Sequence, residues 1–283
     1  MVELEHARAL LSDMGLTMSA QLLDAQIERS TGSHDTYVQF LDGLLTSEKQ
    51  ERDRRNLDFR IRRAHLPYVR RIEEYDFSFQ PSIDKRLVDE LATTAFAQRA
   101  ENIVLLGPPG VGKTHLAVGF AMKALDAGMS VNFTTLAHMI TDLERSASRG
   151  TLSRRWSTYS KPSLLIIDEV GYMQLDRGQA EILFRIVADR YEKGSIIFTS
   201  NKYFSDWGEL LSDSVIATAL LDRLLHHAHV INIRGQSYRL KDRLSAGAFS
   251  PALSAPGGKN TGAQEPGDFG HFDRRFWVKT FRR

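Results

Sequence analysis

A single octapeptide limits the folds open to this chain more than any other feature. Residues 107–114 read Gly-Pro-Pro-Gly-Val-Gly-Lys-Thr, with the apolar run Ile103–Leu106 directly before them and a helical pattern directly after them. Glycines at these positions let the backbone turn tightly, so that successive N–H groups point to one centre at the start of the helix. The octapeptide therefore predicts a strand, a phosphate-binding loop and a helix, in that order.

The residues of this loop have separate roles in that interpretation. We expect the Lys113 ammonium to neutralise the terminal phosphates of a nucleotide and the Thr114 hydroxyl to ligate Mg²⁺. The alternative is a glycine-rich turn without a ligand, but all four motif positions are present in the expected context. The expected ATP-binding residues are Gly107, Pro108, Pro109, Gly110, Val111, Gly112, Lys113, Thr114 and His115.

Five short apolar runs, most of them separated by longer helical stretches, indicate an α/β domain over residues 83–245. The runs are Ile103–Leu106, Val131–Thr134, Leu164–Ile167, Ile196–Thr199 and Val230–Ile233. We expect them to form a parallel five-stranded sheet between helices. The rest of the chain divides into a small all-helical domain for a partner or DNA, an extended linker and a flexible tail: residues 1–72, 73–82 and 246–283.

Two carboxylates follow the third apolar run. A buried parallel strand would bring Asp168 and Glu169 to its carboxyl end, where ligands of such sheets bind. Asp168 then serves as a Mg²⁺ partner and Glu169 as the general base for an attacking water. An ordinary acidic pair at a strand end is the alternative. Asn201 ends the fourth run, and its amide could orient that water if its strand lies between the other two.

Composition excludes several classes of protein. The 283 residues include no cysteine, so disulfides, thiolate catalysis and zinc–sulfur sites are excluded, and a reducing cytoplasm fits. We see no secretory signal and no apolar run long enough to span a membrane. The net charge is only +2, so it does not by itself imply a nucleic-acid partner.

Local charge does suggest DNA. Lys49–Arg71 has nine positive and three negative charges, and a second cluster of arginines lies within residues 145–155. Contacts to phosphates would give affinity for double-stranded DNA with little reading of sequence. A solvated helix face is the alternative for the first stretch, because acidic residues are interleaved there. The candidate DNA contacts are Arg145, Arg149, Arg154, Arg155, Arg60, Arg62 and Arg63.

Three histidines near residue 227 invite a metal interpretation. They are His226, His227 and His229, at a helix end that leads into a strand. At this spacing the three side chains do not bring three ligand atoms together. No cysteine partner is close in sequence. Packing, or interaction with the helix C-terminus, is therefore the expected role.

Four blocks of the sequence resemble a known family. They are 107–117, 164–172, 199–209 and 219–240, and the last two are far more specific than the first. They are similar to the IstB transposition helper ATPases, which are AAA+ proteins related to the DnaC helicase loader. The resemblance extends over about residues 8–243 and includes the linker motif Phe77-Ser-Phe.

The resemblance implies an AAA+ P-loop domain that hydrolyses ATP with Mg²⁺. Members of the family assemble on DNA as ATP-dependent homo-oligomers and stimulate the transposase of the same insertion sequence. By position, Lys113 and Thr114 match Walker A, Asp168 and Glu169 match Walker B, and Asn201 matches sensor 1. Arg223 lies where AAA+ proteins have an arginine finger, and Arg239 matches sensor 2.

Other functions remain open at this point. A DnaC-type helicase loader acting in replication would share the ATPase core but have a different client. A small-molecule kinase would not explain Asn201, Arg223 and Arg239 together. A nucleotide-gated module without hydrolysis would not need Glu169.

Overall fold

A computed structural model describes residues 2–238 of the chain. Its centre is a sheet of five parallel strands in the order β2-β3-β4-β1-β5. This confirms the expected five-stranded parallel sheet. The strands are β1 (Asn102–Leu106), β2 (Val131–Thr135), β3 (Leu164–Val170), β4 (Ser195–Ser200) and β5 (Ala228–Asn232).

Helices precede the sheet and connect its strands. In chain order they are α1 (Val2–Asp13), α2 (Thr17–Ser33), α3 (Tyr37–Arg63), α4 (Lys85–Leu91), α5 (Ala95–Gln98), α6 (Lys113–Asp126), α7 (Leu136–Ser148), α8 (Leu152–Ser160), α9 (Arg177–Arg190), α10 (Trp207–Leu210) and α11 (Ser214–Leu225). No helix within residues 2–238 is long and apolar enough to cross a membrane.

Both faces of the sheet are covered by apolar side chains. β1 is buried along its whole length because its alternate residues point into two separate clusters. Ile103 packs with α6 residues such as Leu116 on one face, while Val104 packs with Leu220 of α11 on the other. The sequence of a strand buried on both faces is a continuous apolar run and does not alternate between apolar and polar residues. The apolar runs in the sequence therefore located all five strands to within a few residues.

The N-terminal region is helical, as expected. α3 begins with a capping box in which Thr36 and Gln39 bond each other's backbone. The buried Glu48 carboxylate accepts a 2.9 Å hydrogen bond from the Ser19 N–H, which joins α3 to α2. The far end of α3 packs on the sheet domain: Ile61 lies against the same core as α6, and the Phe133 N–H of edge strand β2 donates to Ala64 O at 2.8 Å.

The segment between the helical region and the sheet differs from the extended linker that the sequence suggested. A 3₁₀ turn spans Ile72–Glu74, and further turns follow. Ile72 and Tyr75 are both buried in the core, and burial of these apolar side chains requires the chain to fold back rather than extend. The tail 246–283 and Arg239 lie outside the described residues.

Candidate functional site

The loop between β1 and α6 depends on glycine at specific positions. Gly107 and Gly112 have φ values of 150° and 95°, which L side chains rarely adopt. A Cβ at Gly107 would lie 2.3 Å from Ile233 O, and one at Gly112 would lie 2.6 Å from the Tyr75 ring. The loop is therefore held between Ile233, which follows β5, and the segment after α3, with no space for a side chain at these two positions.

Lys113 begins α6 and is 7% exposed. Its ammonium donates to the carbonyls of Gly107 and Pro108 at 2.7 and 2.8 Å. The side chain thus folds back over the loop and places a positive charge at its centre. A charge at this position, beside a helix N-terminus, is suited to an anionic phosphate.

The end of β3 supplies a buried carboxylate next to this loop. Asp168 is 4% exposed, and the Thr114 hydroxyl lies 3.1 Å from both of its oxygens. The Thr199 hydroxyl of β4 also bonds Asp168, and it accepts a 3.1 Å hydrogen bond from the Glu169 N–H. Thr199 therefore orients both members of the acidic pair. Hydroxyl and carboxylate oxygens are ligands that Mg²⁺ prefers, so Thr114 and Asp168 fit this ion.

A break in the strand register separates the two acidic side chains. The pairing of β3 with β4 shifts between Ile167 and Val170, and Glu169 has a φ of 62°. Neighbouring residues of a regular strand point to opposite faces. Here the bulge lets buried Asp168 and exposed Glu169 line the same cleft. Bulges of this kind often redirect a side chain beside an active site.

The cleft has a volume of about 440 Å³ and lies at the carboxyl ends of the strands. Most of the expected site residues meet there: Gly110, Val111, Gly112, Lys113, Thr114, His115, Asp168 and Glu169. Sequence reasoning missed a second set that also lines it: Tyr68, Arg70, Glu74, Tyr75, Asp76, Gln80, Tyr172, Thr199 and Tyr238. Thr199 is the last residue of the fourth apolar run, Ile196–Thr199, two residues before the predicted sensor residue Asn201.

Tyr75 connects the segment after α3 to the phosphate loop. Its hydroxyl donates a 2.8 Å hydrogen bond to Val111 O, and its ring meets the His115 ring edge-on at 5.3 Å between centroids. Burial raises the pKa of Tyr75, so the phenol keeps its proton and remains a donor. The Phe77-Ser-Phe motif nearby was a signal that this segment matters, but it did not indicate Tyr75.

Asn201 and Arg223 do not line the cleft. Asn201 follows β4, which does lie between β1 and β3, and its buried side-chain oxygen has no hydrogen-bond partner within the described residues. The half-buried Arg223 is on α11, with its guanidinium 4.5 Å from the centre of the Phe184 ring. Arg239 lies outside residues 2–238, although Tyr238 N–H donates to Gly110 O at 2.9 Å.

The candidate DNA contacts fall into two groups. Arg145, Arg149 and Arg154 are exposed at the ends of α7 and α8. Arg155 instead pairs with Asp142 inside the same α7–α8 unit, and its guanidinium lies near the Tyr159 ring.

The basic stretch on and after α3 is partly neutralised. Arg54 and Arg55 pair with Glu51, and Arg71 pairs with Asp126. The Arg60 Nε donates to Leu125 O, whereas Arg62 and Arg63 remain exposed. The nine positive charges counted from the sequence therefore overstate what this stretch offers to DNA.

The parallel sheet, the loop after β1 and the carboxylates at the end of β3 define a P-loop nucleotide-binding protein of the AAA+ class. Residues 9–246 match the family model described as IstB-like ATP binding protein. The chain belongs to this family of IstB-like ATP-binding proteins.

Individual relatives agree with this assignment. The chain is 44% identical over 241 residues to a Pseudomonas aeruginosa protein named as an ATP-binding protein of insertion sequence IS21, covering 85% of this chain and 91% of the relative. It is 43% identical over 228 residues to a protein of insertion sequence IS5376 from Geobacillus stearothermophilus, covering 81% and 91%.

A solved structure supports the fold independently. AMPPCP-bound DnaA from Aquifex aeolicus is similar with a TM-score of 0.50 and 20% identity, over 66% of this chain and 58% of that chain. At this identity the likeness shows a shared AAA+ fold.

Proposed function

We propose that this protein hydrolyses ATP with Mg²⁺ and uses the nucleotide to assemble on target DNA, where it stimulates the transposase of an insertion sequence. The contact that carries the proposal is the one between the Thr114 hydroxyl and the Asp168 carboxylate, 3.1 Å apart. It joins the phosphate loop to the acidic end of β3, which is the arrangement that P-loop ATPases use for Mg²⁺.

The residues divide the chemistry between them. Lys113 and the loop N–H groups hold the β- and γ-phosphates, and Thr114 with Asp168 holds Mg²⁺, which when bound stabilises negative charge on the phosphates. Glu169, exposed in the cleft, accepts a proton from the attacking water. Asn201 lies beside Gly171 and outside the residues that line the cleft, so its proposed role as sensor 1 rests on its position in the sequence motif.

Glu169→Gln tests hydrolysis. The amide keeps the size and exposure of the side chain but cannot act as a base. ATP affinity should remain within about twofold, while turnover should fall by at least ~100-fold, a typical contribution of general base catalysis. Glu181→Gln, an exposed carboxylate on α9 outside the cleft, is the matched control and should keep full activity. Undiminished turnover by Glu169→Gln would refute the assigned base.

The position of Arg223 supports an assembly. It lies on α11 and does not line the cleft of its own chain, so it acts on nucleotide only if a neighbouring subunit presents it. A guanidinium supplied in trans makes hydrolysis depend on assembly. Arg239, as sensor 2, is proposed to contact the γ-phosphate from within the same chain.

DNA binding is assigned to the exposed arginines at the ends of α7 and α8. Arg145, Arg149 and Arg154 have no ion-pair partner among residues 2–238, so their charge is available to phosphates. Arg62 and Arg63 on α3 add a second exposed patch. Contacts of this kind give affinity that depends on salt rather than on base sequence.

Affinity for duplex DNA measured across salt concentrations tests this assignment. Arg149→Ala should weaken binding and lower the slope of log affinity against log salt by about 1. Arg86→Ala, an exposed arginine on α4, is the control and should leave the slope unchanged. Arg155→Ala should behave like the control because its charge is already paired. Equal slopes for Arg149→Ala and wild type would remove this patch from the DNA contacts.

The client is proposed from the relatives, which are named as proteins of insertion sequences. This favours a transposase over a replicative helicase. Strand transfer by the transposase of the same insertion sequence should increase when this protein and ATP are added. When Glu169→Gln replaces the wild type, the dependence of strand transfer on ATP should be lost. Stimulation of helicase loading without any effect on strand transfer would favour the DnaC-type alternative.

A further inference from the structure

Two histidines and a glutamate meet at the sheet edge opposite the nucleotide cleft. The strands are parallel, so the turn before β4 and the turn before β5 lie at the same amino edge, with β1 between them. Glu192 comes from the first turn, and His226 and His227 from the second. One ligand atom from each lies within 4.8 Å of the other two. Sequence spacing missed this group because Glu192 is distant in the chain.

We propose that Glu192, His226 and His227 bind a divalent transition-metal ion of the zinc type. Imidazole and carboxylate ligands suit Zn²⁺, Ni²⁺ and Co²⁺, whereas Mg²⁺ prefers oxygen ligands alone. At zinc bond lengths of about 2.0–2.1 Å, ligand atoms of a tetrahedral site lie ~3.3 Å apart. The three exposed side chains therefore need to close by only about 1.5 Å, which rotamer adjustment provides.

A neighbouring tyrosine supports the group. Tyr191 Oη lies 2.6 Å from His226 Nδ1, and the two rings stack at 5.8 Å between centroids. Outer contacts of this kind orient the imidazole ligands of metal sites. The centroids of the His226 and His227 rings lie 4.1 Å apart, and Glu192 is exposed in the α9–β4 connection with a φ of 58°.

His229, the third histidine of the sequence cluster, is engaged elsewhere. Its Nε2 lies 2.9 Å from Glu101, a carboxylate that also accepts from Arg99. It is therefore a matched control for the proposal: the same residue type, two positions from the site, but not a ligand.

Three protein ligands leave a fourth position for water or a group from another molecule. A bound ion would link the α9–β4 turn to the end of α11, the helix that has Arg223.

Zinc titration of the full chain tests the site. The protein is prepared without a histidine tag and freed of metal, then titrated calorimetrically with Zn²⁺ and spectroscopically with Co²⁺. Wild type should bind one ion at micromolar or tighter affinity. His227→Ala and Glu192→Gln should each weaken binding at least about tenfold, because loss of even an outer partner typically has that effect. Tyr191→Phe should weaken it by about tenfold as a positioning residue.

Two controls decide the outcome. His229→Ala and Lys113→Ala should bind Zn²⁺ within twofold of wild type, which separates the site from its neighbour and from the nucleotide cleft. ATP binding by the histidine, glutamate and tyrosine variants, and circular dichroism for Lys113→Ala, report that each variant is folded, and the exposed Glu192→Gln provides a test if His227→Ala does not fold. Equal losses for His229→Ala and His227→Ala, or wild-type binding only at millimolar Zn²⁺, would overturn the proposal.

Discussion

The hydroxyl of Tyr75 donates a 2.8 Å hydrogen bond to the carbonyl of Val111 inside the phosphate-binding loop. The same ring fills the space beside Gly112, where a Cβ would lie only 2.6 Å from it. Tyr75 follows the 3₁₀ turn that leads from the helical region. The segment after the helical region is therefore in direct contact with the nucleotide loop.

This relationship makes Tyr75→Phe an informative substitution. It removes one hydrogen bond, worth about 0.5–1.5 kcal/mol, but keeps the ring. We expect the dissociation constant for ATP to rise about 2- to 10-fold, measured by titration with a fluorescent nucleotide. Tyr172→Phe changes an exposed tyrosine of the same cleft and should have no effect. Identical affinities for wild type and Tyr75→Phe would show that the loop does not depend on this bond.

Thr199 should matter for hydrolysis although it is not itself acidic. Thr199→Val removes the hydroxyl that bonds Asp168 and accepts the Glu169 N–H. Without this hydroxyl, Asp168 and the Glu169 backbone lose the partner that positions them, so turnover should fall about tenfold or more. Thr199→Ser restores the hydroxyl and should recover most of the rate. Steady-state ATPase assays check this, and equal rates for the valine and serine variants would contradict it.

The sequence located the phosphate loop and the acidic pair because both lie in short contiguous patterns with a fixed relation to strands. It could not locate Tyr75, Thr199 or Glu192, because their roles come from contacts between distant segments. The paired state of Arg155 was equally hidden, since its partner Asp142 lies on another helix. The sequence also did not show that Ile72 and Tyr75 are buried in the core. Because they are buried, the segment expected to be an extended linker folds into turns.

Arg190 stabilises the fold rather than the site. It is 1% exposed, and its guanidinium donates to the carbonyls of Tyr159, Ser160, Ser163 and Ser195. Burial lowers the pKa of Arg190 to about 10, so it remains charged at neutral pH. Arg190→Met leaves these carbonyls without their donor and should reduce the free energy of unfolding by about 3 kcal/mol or more.

Urea unfolding measures this loss. Arg177→Met, an exposed arginine on the same helix, is the control and should change stability by less than about 1 kcal/mol. A difference between the two variants below that level would show that the Arg190 contacts do not hold the α8–β3 and β4 segments together.

Acid should weaken one ion-pair network selectively. Hydrogen bonds from Arg99, and secondarily from His229, lower the pKa of Glu101 to about 2 despite its partial burial. A carboxyl with a lowered pKa contributes stability above its unfolded value of about 4.5, and loses that contribution as pH falls toward 2. The difference in unfolding free energy between wild type and Glu101→Gln should therefore be larger at pH 6 than at pH 3.5. A difference that stays constant would contradict this assignment.

We propose that Arg223 from a second subunit completes each nucleotide cleft. ATP turnover by a mixture of Lys113→Ala and Arg223→Ala chains tests it most directly. Each variant alone should be nearly inactive. In hybrid assemblies, intact clefts of Arg223→Ala chains meet intact fingers of Lys113→Ala chains, so the mixture should regain activity. No recovery in a mixture shown by crosslinking to contain both chains would contradict the claim.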